Sequence, residues 1–181
     1  MTNNRLHLRL ADASDEESVM EYRELTLDDG EMHINGSAAL EKFDSYAEWL
    51  NRNILDRDDE TVQQGNVPSS TFLAFDEQDN LVGMIDLRHR FNPFLLQYGG
   101  NIGYSIAPSK RRKGYGHEML MLCLLEAKKI GLEKVLITCD KENEASRNTI
   151  LSGGGVFDNE VIRTIDGGNS ETLQRYWITI K

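Results

Sequence analysis

Apolar and polar positions recur along this chain with a period that switches between two and about 3.6, and each switch marks a new element. Leu6, Leu8 and Leu10 alternate with His7 and Arg9, which predicts a first strand. Ser14-Asp15-Glu16-Glu17 has capping-box spacing and opens a helix that carries Val19, Met20 and Tyr22 to about Leu27, where Asp28-Asp29-Gly30 ends it. A second helix, Phe43 to Leu55, has Tyr46, Trp49, Leu50 and Ile54 as its apolar stripe. After a polar loop from Asp56 to Gly65, strands at Thr71 to Phe75 and Leu81 to Arg90 flank an Asp79-Asn80 turn, the pattern of a hairpin.

Phe91-Asn92-Pro93-Phe94 breaks that ladder. Asn101 to Ile106 forms the next strand, and Ala107-Pro108-Ser109 stops it because proline brings no amide to a ladder. Met119, Cys123, Ala127 and Ile130 then recur at helical spacing, with Leu120 and Leu124 beside them. A strand at Lys134 to Cys139, a short helix at Glu144 to Ser152 and a glycine break at Gly153 to Gly155 follow. Val156 to Ile165 and Thr172 to Ile180 close the chain as an antiparallel pair. Hairpins interleaved with crossover helices predict a mixed sheet with helices on its faces, in an α/β or α+β architecture. All 181 residues fit one domain, large enough to bury a core without staples.

Arg111-Arg112-Lys113-Gly114-Tyr115-Gly116 sits where the proline-stopped strand gives way to the long helix. Basic side chains and glycines at a helix start present unpaired amides and the positive end of the helix dipole to an anion, which is how a pyrophosphate is cradled. The same string also reads as a solvated basic turn. Strand, proline, basic run, G-x-G and amphipathic helix together favour the phosphate reading. No G-x-x-x-x-G-K-[ST] string occurs, and Met119 stands where a dinucleotide fingerprint needs its third glycine.

The formal charge of −10 argues against a general nucleic-acid binder, whose affinity rests on neutralising phosphates. Such acidity suits a cationic substrate such as a polyamine, an aminoglycoside or an exposed lysine, and serves solubility equally well. Cys123 and Cys139 make no metal or redox spacing and read as reduced thiols of a cytoplasmic protein. His7, His33, His89 and His117 are dispersed, so no metal is expected, and no apolar run is long enough for a membrane span.

On Arg111, Gly114 and Gly116, which match [QR]-x-x-G-x-[GA] between a strand and a helix, the chain resembles the GNAT superfamily of N-acetyltransferases. Asn143-Glu144-Ala145-Ser146, following the strand at Val135 to Cys139, matches that family's N-x-x-[AS] motif. The resemblance is close over the C-terminal part and holds in outline before it. It implies a central mixed, mostly antiparallel sheet whose signature strand splays from the next, so that the pantetheine arm of acetyl-CoA bonds there like an added strand. The cofactor-binding residues implied are Ile106, Arg111, Arg112, Lys113, Gly114, Tyr115, Gly116, His117, Asn143 and Ser146. Asn143 equally reads as a simple helix cap.

The reaction implied is direct attack of a primary amine on the acetyl thioester, and the alternative is a non-catalytic acyl-CoA sensor. Catalysis needs proximity, an acceptor for the amine proton, a donor to the oxyanion and protonation of the leaving thiolate. Many family members carry a Glu five residues before the strand-closing proline and a Tyr seven after the motif Asn; here these positions are Gly103 and Ile150. The substitutes are His89, whose ordinary pKa suits a base, and Tyr104, placed to hydrogen-bond the thioester. A packing histidine and a strand aromatic are their competing readings. Asp86 reads as half of an ion pair with Arg88 or Arg90. The first two helices and the loop from Phe91 to Gly100 wall the acceptor site, and the final strands offer a homodimer edge.

Overall fold

A computed structural model describes residues 5–181. Its elements are β1 (Leu6–Leu10), α1 (Glu16–Asp28), α2 (Tyr46–Leu55), β2 (Ser69–Asp76), β3 (Leu81–Arg88), β4 (Ile102–Ile106), α3 (Tyr115–Lys129), β5 (Lys134–Asp140), α4 (Glu144–Ser152), β6 (Val156–Thr164) and β7 (Ser170–Thr179). They form two antiparallel sheets, β1-β2-β3-β4 and β5-β7-β6.

One face of the first sheet packs on α3. Met119, Leu120, Cys123, Leu124 and Ala127 recur at three- and four-residue steps on that helix and meet Ile85, Leu87 and Ile102, together with Val135 and Ile137 of the second sheet. Each fully buried large side chain there contributes roughly 2 kcal/mol. The other face packs on α1 and α2, where Val19, Tyr22 and Trp49 meet Leu73, Phe75 and Met84. Alternation on β2 and β3 therefore sends apolar side chains both ways, which is why these strands read as nearly continuous apolar runs.

Several boundaries differ from those expected. The capping box sits at Asp12 and Asp15 instead of Ser14 and Glu17: Asp12 Oδ1 accepts from the Ser14 amide (2.8 Å) and Asp15 Oδ2 from the Asp12 amide (2.8 Å). Asp15 is buried by its pairing with Arg9, so the carboxylate that caps the turn also ties it to β1. α2 starts at Tyr46, three residues late, because Ser45 caps it. β3 stops at Arg88, two residues early, because Pro68, next in register opposite His89, accepts from the His89 amide (2.8 Å) but has no N–H to return. Within the expected loop from Phe91 to Gly100, Leu95–Gly99 forms a π-helical turn.

The hairpin turn is as expected, with Asp79 left-handed at φ 58. The Asp76 carboxylate organises it, accepting from the amides of Gln78 and Asn80 and from Lys110 Nζ (2.9 Å).

Candidate active site

β4 and β5 belong to different sheets, yet they touch at one end. The Asn101 amide donates to the Leu136 carbonyl (2.7 Å), and the Leu136 amide donates to Asn101 Oδ1 (2.9 Å). No ladder continues from there, so the strands part toward Ile106 and Asp140. The Ala107 amide donates to the Val82 carbonyl and the Arg88 amide to the Asn101 carbonyl, which commits the odd-numbered residues to β3. By alternation, Ile102, Tyr104 and Ile106 turn their main-chain groups into the gap. That is the open edge to which an extended arm can bond.

The gap opens onto the start of α3. Gly114 sits left-handed at φ 83, Arg112 two residues before it has φ 63, and no side chain caps the helix. Asp12, Ser45 and Asn143 cap the first turn, α2 and α4. Left-handed residues at this spacing turn neighbouring amides toward one side, and the α3 dipole adds its positive end. Gly116 has a different reason to be glycine: a Cβ there would lie 3.3 Å from Thr149 Oγ1, so the absent side chain lets α3 meet α4.

The expected anion-binding side chains divide. Arg112 lines a polar cleft of about 740 Å3 with Lys141, Asn143 and Arg147. Lys113 Nζ donates to the Ser109 carbonyl (3.1 Å), and His117 Nδ1 lies 2.9 Å from Ser152 Oγ. Arg111 points elsewhere, to Asp29 (2.8 Å), Glu31 (3.2 Å) and the Ile106 carbonyl (3.1 Å), and so pins the end of α1 to the end of β4. Asn143 caps α4 by accepting from the Ser146 amide (3.0 Å). Arg5 joins the turn unexpectedly: it donates to the Lys113 carbonyl (3.1 Å) and lies over the Tyr115 ring at 4.7 Å. Only its isolated positive charge marked it in the sequence.

Tyr104 reaches across the gap. Its hydroxyl lies 3.0 Å from Ser146 Oγ, and burial, opposed by that contact, raises its pKa to about 12. His89 does not share this space. Its Nε2 lies 2.9 Å from Ser70 Oγ on β2, the side of β3 away from β4, and burial lowers its pKa against the pull of Asp86. Asp86 is buried, with Arg88 Nε 3.0 Å away and Thr71 Oγ1 at 3.2 Å; burial raises its pKa against both.

Gly103, opposite Asp86 on β4, is where many family members carry a Glu, and here its surroundings are nitrogen donors. A Cβ on Gly103 would lie 3.4 Å from both the Gly36 nitrogen and Arg88 Nη2. The segment around Gly36 is tightly wound, with left-handed Gly36, Ala38 and Ala39, and Trp49 Nε1 clamps it through the Ser37 carbonyl (2.7 Å). It presses on β4 so closely that a Cβ at Gly36 would meet the Gly103 carbonyl at 2.4 Å.

Among the described residues no group of three His, Cys, Asp or Glu side chains is placed to hold a metal, and no helix is long and apolar enough to cross a membrane.

Residues 5–155 match the model of the acetyltransferase (GNAT) domain. No curated protein matches the sequence. Among solved structures, the chain is similar to the Salmonella typhimurium acetyl transferase that modifies the N-terminal serine of the 50S ribosomal subunit protein L7/L12 (TM-score 0.70, 19% identity, covering 99% of this chain and 97% of that one). It is similar to spermidine N-acetyltransferase from Vibrio cholerae in complex with CoA and spermine (0.67, 20%, 98% and 97%). The microcin C7 self-immunity acetyltransferase, in complex with acetyl-CoA and AMP, is a third (0.74, 14%, 98% and 94%). At these identities the likeness is one of fold.

Proposed function

We propose, from the premise that this chain belongs to the GNAT acetyltransferase family, that it moves an acetyl group directly from acetyl-CoA to a primary amine. The observation that carries this reading is the gap between β4 and β5, open along Ile102, Tyr104 and Ile106 and leading to the uncapped start of α3. The amides of Gly114, Tyr115, Gly116 and His117 take the pyrophosphate, with Arg5, Arg112 and Lys113 around them. Arg112, Lys141 and Arg147 line the outer cleft together with Glu142 and Glu144, and these three cations take the remaining phosphate of CoA. Asn143 and Ser146 shape the α4 wall, and Arg111 holds the Ile106 carbonyl in place.

The amine nitrogen attacks the thioester carbonyl, the tetrahedral oxyanion takes a hydrogen bond from one of the β4 main-chain amides that face the gap, and the C–S bond breaks as the thiolate leaves. Tyr104 serves that thiolate. With a pKa of about 12, its phenol is neutral and a weaker acid than an ordinary thiol, so it steadies the sulfur by hydrogen bonding and keeps its own proton. The amine proton passes to water and returns to the sulfur, since His89 is held on the far side of β3. Cys139 borders the same space, but burial raises its pKa to about 11, which leaves a neutral thiol and disfavours an acyl-cysteine intermediate.

One domain spans the chain in this reading, since a single core runs through both sheets. Exposed Val156, Phe157 and Ile162 on β6 support a homodimer, and two buried free thiols support a cytoplasmic setting. Thiol-release assays with acetyl-CoA over an amine panel, alongside calorimetry of acetyl-CoA binding, test the function. Turnover with at least one amine is expected. Tight binding with no turnover across the panel favours a sensor, and no binding removes the reading.

A further inference from the structure

Arg88 ends β3 with a guanidinium that is only partly committed. Its Nε lies 3.0 Å from Asp86 Oδ2, and Nη1 donates to the Gly99 carbonyl at 3.2 Å. Among the described residues Nη2 has no acceptor, and the side chain is 25% exposed, enough to meet a ligand. The buried Gly36 amide likewise donates to nothing among the described residues. Both nitrogens lie 3.4 Å from the point where a Gly103 side chain would begin, and Nη1 lies 3.5 Å from it. Three nitrogens thus surround one point above β4: among the described residues the buried Gly36 amide is left without an acceptor, which buried polar groups seldom are, and the solvent-facing Nη2 is free to take a ligand in place of water.

That point borders the reaction. An arm laid along β4 from the start of α3 runs past Ile106 and Tyr104 toward the closed end at Asn101, and Gly103 lies between the last two. On the α3 face, Ile102 is buried and Tyr104 packs against the core, so the acceptor approaches over the Gly103 face. It meets nitrogen donors there, where many relatives place a carboxylate.

We infer that Arg88 and the Gly36 amide bind a carboxylate of the acceptor, so that the amine acetylated by this protein carries its own carboxylate; the inference rests on the acetyl-transfer reading above. One guanidinium nitrogen and one amide match the two oxygens of a carboxylate. Asp86, bonded to Thr71, fixes the guanidinium plane from behind. A cationic polyamine gains nothing at this wall and meets like charge, so the acidity of the surface as a whole does not choose the substrate.

The test is CoA release from acetyl-CoA with matched acceptors: glycine against glycinamide, β-alanine against β-alaninamide, and spermidine as the cationic comparison. The expected result is a kcat/KM at least about tenfold higher for the carboxylate member of each pair, carried mainly by KM. Arg88→Gln combined with Asp86→Asn removes the ion pair together and leaves no lone buried charge. It is expected to raise KM for the carboxylate acceptors about tenfold and erase the preference, while Arg88→Lys, which keeps the charge without the fork, falls between. If the double variant does not fold, the wild-type pairs and Arg88→Lys still decide. The inference is overturned if the amides or spermidine react as well as the carboxylates, or if the preference survives in a folded double variant that binds acetyl-CoA. Failure of acetyl-CoA binding, or of CoA release with every amine, overturns the acetyl-transfer reading with it.

Discussion

Gly36 and Gly103 are the residues on which the acceptor side depends most. Gly36→Ala places a Cβ 2.4 Å from the Gly103 carbonyl and 2.6 Å from Tyr104 Cα, at a φ of 75 that side chains rarely adopt. A loss of about 3 kcal/mol is expected, read as a fall in Tm of roughly 6–12 °C by circular dichroism. An unchanged Tm means that this segment does not rest on β4. Tyr104→Phe keeps the packing and deletes the hydroxyl, so kcat is expected to fall about tenfold with acetyl-CoA affinity retained. Equal loss in both, measured by kinetics and calorimetry, places Tyr104 in cofactor binding instead. His89→Ala is the companion control: its pH–rate profile is expected to coincide with that of the wild type.

What the sequence disclosed at this scale followed a simple division. Gly114 was legible because its left-handed φ and helix start are local. The needs of Gly36 and Gly116 were not, since each meets a segment distant in the chain, β4 and α4 respectively. The Ser70 contact that turns His89 away from β4 was hidden for the same reason.

Among the elements, helices and strands with strong periods appeared where the pattern placed them, and the errors gathered at ends, where one hydrogen bond decides. Asp12 displaced Ser14 as cap because Asp15 is claimed by Arg9, and β3 lost two residues to Pro68. Arg111, matched to the phosphate motif, also braces α1 to β4 through Asp29 and Glu31, partners distant in the chain that no local pattern shows.

The β2–β3 hairpin carries its own pH prediction. Burial tends to raise the Asp76 pKa, but Lys110, Asn80 and the Gln78 amide more than offset it, leaving it at about 2. A depressed folded-state pKa means stability that is full above the unfolded value near 4 and is lost as pH falls through 2. The contribution is about 2 kcal/mol at neutral pH. Asp76→Asn is expected to lose it at pH 7 and to converge on the wild type near pH 2 in urea titrations; parallel curves at all pH values count against it.

At the scale of the whole molecule, sheets with helices on their faces were legible from hairpins and crossovers. That no ladder joins the two sheets, leaving the gap open, was implied by family resemblance and not by periodicity, because alternation reports which face a strand buries and not which neighbour it lacks. The shared core spanning both sheets keeps the gap from widening.

Asn101 closes that gap through two hydrogen bonds to Leu136, and beside it a Cβ on Gly100 would lie only 2.5 Å from the Leu136 carbonyl. The joined backbone therefore closes the gap at a fixed depth, and a donor with a longer acyl chain reaches that floor before one with an acetyl group does. Propionyl-CoA is expected to react roughly tenfold more slowly than acetyl-CoA and butyryl-CoA more slowly again, in kcat/KM. Equal rates down that series mean that the strands part deeper than Asn101, and that the choice of acyl group is made elsewhere.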